Sequence, residues 1–158
     1  MAMMKKFDKE FIERTINILE NCSKHTEYEV TLLLNCLLAL VTLPIERNKI
    51  KKGNIQSKKI TTFQKDSVEK IKELKNEREY INICEEYFFN NIRNSIAHLH
   101  IELEESNYKN RIENIILRNA KNDIEFNKKN YDLQINISVQ NFKKFALYVA
   151  KEYIKRFF

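Results

Sequence analysis

One glycine, Gly53, and one proline, Pro44, occur in 158 residues. Glycine supplies the left-handed backbone that tight turns and phosphate loops need, and proline punctuates turns. A chain nearly free of both builds no glycine-rich phosphate cradle, and a many-stranded sandwich or barrel is disfavoured. The expected class is mainly α: a four- to five-helix, up-and-down bundle. Its length suits one domain over residues 1–158, with a core large enough to fold without disulfides or metal. Cys22, Cys36 and Cys84 are odd in number and form no CxxC pair, which argues against a disulfide framework or a cysteine zinc site. A reducing, cytoplasmic setting fits. The amino-terminal MAMMKKFDKEF has no apolar signal core.

Apolar spacing locates the elements. Phe11, Ile12, Thr15, Ile16 and Leu19 form the stripe of a first helix from Asp8 to about Cys22. Thr26 and Glu29 make a capping box for a second, about Glu27–Leu43, ended by Pro44. From Tyr28 to Ile45 only Glu29 is charged, so this helix is expected to be buried nearly all round. It is short for a membrane span, and no membrane partner is expected. The segment 46–62 reads as a basic loop. Arg47 to Lys65 carries seven cations and no acid, against a net +6 for the whole chain. Lys51, Lys52, Lys58 and Lys59 are candidate phosphate contacts there, or plain solvated lysines. A short helix follows over Phe63–Lys75. Asn76 and Glu79 then read as the cap of a long helix, about Glu77–Leu99. Alternation at 100–104 and 131–137, with a less regular 112–117, predicts a small antiparallel sheet inserted at about 100–137. Ser138 caps a last helix from Val139 to about Arg156.

The long helix carries the unusual pattern. Its core stripe is Ile81, Cys84, Phe88, Ile92, Ile96 and Leu99 at 100° per residue. A second face holds Tyr87, Asn90, Asn91, Asn94 and His98. From Tyr87 to Ile101 the only Asp, Glu, Lys or Arg is Arg93. A solvated face would carry Lys and Glu, so an uncharged polar face points to an interface or a site. Within it lies Arg93-Asn94-Ser95-Ile96-Ala97-His98.

That hexapeptide resembles the Rx4–6H signature of HEPN domains. The run Ile-Arg-Asn-Ser-Ile-Ala-His is similar to the motif helix of a plasmid- and defence-associated HEPN subfamily. So are the apolar Asn35-containing helix ending in Pro44 and the strands before a final amphipathic helix. The resemblance covers roughly residues 27–156. It implies a small helical protein, usually dimeric, and for many members a metal-independent ribonuclease. HEPN toxins paired with a nucleotidyltransferase antitoxin often continue the motif as His-x-Tyr. Here His98-Leu99-His100 lacks that tyrosine, which argues against a nucleotide-adding antitoxin.

The residue types suit such chemistry. Cleavage of RNA by its own 2′-hydroxyl needs a base, an acid for the leaving 5′-oxygen, and positive charge for the phosphorane-like transition state. Histidine serves either proton role near neutrality, and arginine offers a permanent planar charge. Asn94 and His98, four apart, share a face and can orient one another. Arg93 and His98 lie about 140° and about 7.5 Å apart on a helix. The expected catalytic set is Arg93, Asn94 and His98; the HEPN resemblance implies a two-fold partner that supplies a second histidine and a second arginine. Tyr87, Asn90, Asn91 and His100 are candidate RNA contacts; His100 is also a candidate second catalytic histidine, though a solvent-facing strand residue is its favoured reading. No metal and no cofactor are expected. The function that follows is endoribonuclease, as a toxin or antiviral-defence effector under some regulatory partner. The alternative is a non-catalytic HEPN-like module for dimerisation or for RNA or nucleotide binding.

Overall fold

The computed structural model describes residues 2–21, 29–47, 55–106 and 112–158. Its elements follow the order α1 (Ala2–Asn21), α2 (Glu29–Arg47), α3 (Ile55–Leu74), β1 (Tyr80–Ile83), a 3-10 turn (Glu85–Tyr87), α4 (Phe88–Ala97), β2 (Ile101–Glu105), β3 (Ile112–Asn119), α5 (Asp123–Asn127), β4 (Leu133–Ser138) and α6 (Val139–Phe157). The chain is mainly helical, with one four-stranded antiparallel sheet.

The last helix is the centre of the molecule. Phe142, Phe145, Ala146, Val149 and Ala150 are fully buried along one stripe of α6, and the helix packs on α1, α2, α3, β3 and β4. Ser138 starts it by accepting the Asn141 amide at 3.2 Å, as a serine N-cap should. Lys155 and Arg156 lie in its last turn, where cations favour the negative end of the helix dipole.

Helix α2 is a core element, but it is not buried nearly all round: Thr31 and Asn35 are exposed and Leu32, Leu38 and Ala39 half-buried. Leu33, Leu37, Leu40 and Val41 are at most 2 % exposed. By length and composition alone Glu29–Glu46 would also be long and apolar enough to cross a membrane, but here its apolar side chains meet α4 and α6. Pro44 does not end it. The proline is buried inside the final turn, where one missing amide costs a single bond and packing of Leu43 and Ile45 on the core holds the turn. The Thr26 cap lies outside the described residues. In α1, Ile12, Thr15 and Leu19 face inward as expected. Phe11 does not: it is 36 % exposed and stacks on Phe7 at 6.4 Å between centroids.

Other parts of the sequence reading change as well. Helix α1 begins at Ala2 rather than Asp8. Helix α3 begins at Ile55, so part of the expected basic loop is helix; 48–54 lie outside the described residues. The expected long helix over 77–99 is instead a turn, strand β1, a 3-10 turn and the shorter α4. Tyr80-Ile81-Asn82-Ile83 alternates with period two, and its exposure alternates likewise. Four residues fit either period, and pairing decides. The sheet order β1-β4-β3-β2 sets Ile81 opposite Ile135, which satisfies the amides on the β4 edge. The sheet is therefore not an insertion confined to 100–137: its first strand precedes the motif helix.

The role of Asn76 and Glu79 also differs. They do bond to each other: Glu79 Oε2 accepts the Asn76 amide at 2.9 Å. The Glu79 carboxylate then reaches across to α6, accepting the Ser138 amide at 2.8 Å and both of its oxygens the Asn141 Nδ2 at 3.2 Å. The pair tethers β1 to the start of the last helix rather than opening one of its own.

Candidate functional site

Helix α4 is positioned from both sides. Phe88, Phe89 and Ile92 are fully buried, and Ile96 nearly so. Its amino terminus has no cap from its own side chains. Gln64 of α3 supplies one, accepting the Phe89 amide at 3.1 Å and donating to the carbonyls of Glu85 and Glu86 at 3.2 and 2.8 Å. Asn91 is 6 % exposed and its Oδ1 accepts Asn119 Nδ2 at 2.8 Å. That bond joins the helix to the end of β3, which makes Asn91 a structural amide rather than a surface contact.

The carboxyl end of α4 closes with a left-handed residue. The His98 amide bonds Asn94 O at 2.9 Å, Leu99 bonds Ile96 O at 3.1 Å and His100 bonds Ser95 O at 2.8 Å. Leu99 sits at φ 54°, the position usually given to glycine. The side chain of Leu99 is 80 % exposed. This tight reversal returns the chain at once into β2. It therefore brings His98 and His100 to the same side, with ring centroids 5.8 Å apart.

Arg93 and Asn94 act as a unit. Asn94 Oδ1 accepts from Arg93 Nε at 3.2 Å and Nη2 at 2.9 Å. Arg93 Nη1 also lies 3.9 Å from Glu46 Oε1 of α2, both side chains being over a third exposed. The amide expected to orient His98 instead holds the Arg93 guanidinium, and Arg93 does not line the cleft that Asn94 and His98 share. His98 itself is exposed.

Asn94, His98 and His100 line one open cleft with Asn119, Lys121, Asn122, Asp123 and Phe126. At about 320 Å³ it is near the lower end for small-ligand sites, about 300–1,000 Å³. His100 is not a plain strand residue. Its ring stacks on Phe126 of α5 at 4.1 Å and 27°. Tyr87 and Asn90 are not part of this cleft. Tyr87 is 53 % exposed at the far end of α4, about 16 Å from His98 at 1.5 Å per residue. Lys58 and Lys59 are exposed on α3, and Lys51 and Lys52 lie outside the described residues. Among the described residues no three His, Cys, Asp or Glu side chains group as metal ligands would.

The β3–α5 wall was not anticipated. Its signal was present: Asn122 and Glu125 have capping spacing, and Asn122 Oδ1 accepts the Glu125 amide at 2.9 Å. No curated protein and no solved structure matches the chain. A family model described as HEPN pEK499 p136 matches residues 1–157. With an Arg-x4-His helix walling a polar cleft and a match over nearly its whole length, the chain belongs to the HEPN pEK499 p136 family.

Proposed function

We propose that this protein is an endoribonuclease that needs no metal, cutting RNA through its 2′-hydroxyl to leave 2′,3′-cyclic phosphate and 5′-hydroxyl ends. The observation that carries the reading is Asn94, which holds the Arg93 guanidinium, on the same cleft wall as an exposed His98. The guanidinium meets non-bridging phosphate oxygens and stabilises the charge that grows in the transition state. Asn94 holds that guanidinium in place. His98 transfers a proton. The surface ion pair with Glu46 is weak and exchangeable, so phosphate can displace it. The active form is a homodimer with two motif helices facing each other, in the cytoplasm. Its role is that of a toxin or antiviral-defence effector restrained by an antitoxin or other regulatory partner.

The test is single-stranded RNA incubated with wild type, His98→Ala and Arg93→Ala in excess EDTA, with the ends mapped. Cleavage by wild type alone, with cyclic-phosphate ends, is the expected result. Full activity in both variants overturns the assignment. A second reading is a binding module, favoured by Arg93 being held by Asn94 and Glu46 in the free protein. It predicts RNA or nucleotide affinity in a filter-binding assay, lost in Arg93→Ala, with no turnover.

A further inference from the structure

We propose that His100 is a second catalytic residue, so that His98 and His100 of one protomer form the acid–base pair of the cleavage reaction. The inference rests on the ribonuclease reading above. Both rings line the same cleft, 5.8 Å apart by centroid and tilted by 31°. The left-handed Leu99 between them creates that proximity, since a continued helix would put residues 98 and 100 about 200° apart. Phe126 fixes the plane of His100 by stacking at 4.1 Å.

A histidine kept for structure is ordinarily held by a hydrogen bond. His100 Nδ1 is sealed from solvent with no partner among the described residues. Among the described residues stacking on Phe126 holds the ring, and Nε2 is the nitrogen left for a ligand. The other charged groups lining the cleft are Lys121 and Asp123; the lysine adds positive charge for phosphate.

In the reaction one imidazole takes the 2′-hydroxyl proton as the 2′-oxygen–phosphorus bond forms. The other, protonated, gives its proton to the 5′-oxygen as the phosphorus–5′-oxygen bond breaks. Protons and bonds balance, and no co-reactant is required.

The experiment uses the full chain and a labelled mixed-sequence RNA oligonucleotide in EDTA, with His98→Ala, His100→Phe and His100→Asn. Phenylalanine keeps the ring on Phe126, and thermal melts of all variants report folding. A second oligonucleotide carries sulfur in place of the 5′-bridging oxygen, a leaving group that needs no acid. Expected are losses of about 100-fold or more for each histidine variant on the oxygen substrate. The sulfur substrate should restore the variants of one histidine position and not of the other. If His98→Ala is inactive while folded His100→Phe cleaves within twofold of wild type, this inference fails and the ribonuclease reading stands. Restoration at neither position also overturns the pairing. No cleavage by wild type overturns both readings.

Discussion

Leu99 and Asn119 show how single residues set this site. Leu99 holds φ 54° with a branched side chain that is 80 % exposed. A non-glycine residue in that region costs about 1–2 kcal/mol. Leu99→Gly is therefore expected to stabilise the protein by about 0.5–1 kcal/mol, read as a higher denaturant midpoint; a lower midpoint contradicts the strain argument. Asn119 is 5 % exposed and satisfies Asn91. Asn119→Ala strands a buried amide and should cost about 1–3 kcal/mol in urea unfolding. A cost under about 0.5 kcal/mol would mean that water replaces the bond.

At the scale of elements, α4 depends on help from elsewhere. Gln64 of α3 caps it through the Phe89 amide, and no side chain of its own turn does so. Gln64→Ala should cost about 1 kcal/mol and raise hydrogen exchange at Phe88–Asn90 more than in α6. Uniform exchange changes would refute the cap. Helix α2 and helix α6 are both legible from sequence because their signals are long: an almost uncharged run in one, a serine cap and an apolar stripe in the other. Strand β1 is not. Its four residues carry as much helical spacing as alternation, and only the free edge of β4 selects the extended form.

At the scale of the whole molecule, Glu79 ties the β1 turn to the start of α6. Burial pushes its carboxyl upward, but bonds from the Ser138 and Asn76 amides and from Asn141 outweigh this and leave it below its ordinary value near 4.5. A carboxylate held below its unfolded value stabilises the fold above that value, and the gain is lost as pH falls through the folded one. Wild type should therefore lose stability from about pH 5 to about pH 3, and Glu79→Gln should flatten that part of the profile. At neutral pH, Glu79→Ala should cost about 1.5–3 kcal/mol. An unchanged acid profile in Glu79→Gln would assign the loss to other carboxylates.

Much of this protein follows from residue order alone. Scarce glycine and proline, one uncharged apolar helix and a serine-capped terminal stripe define the helical class, because each signal is local and repeated over several turns. The motif Arg93 to His98 and its uncharged surroundings are likewise readable along one helix. What residue order left open depends on contacts between distant segments. The boundary of α4 is settled by the pairing of β1 with β4, which sets Ile83 opposite Leu133 and Tyr80 opposite Asn136, far apart in the chain. The partner of Asn94 is settled by where the Arg93 side chain turns. The place of His100 is settled by Phe126, 26 positions away. Packing energies of that kind have no signature in spacing, since they arise only once the fold brings the two surfaces together.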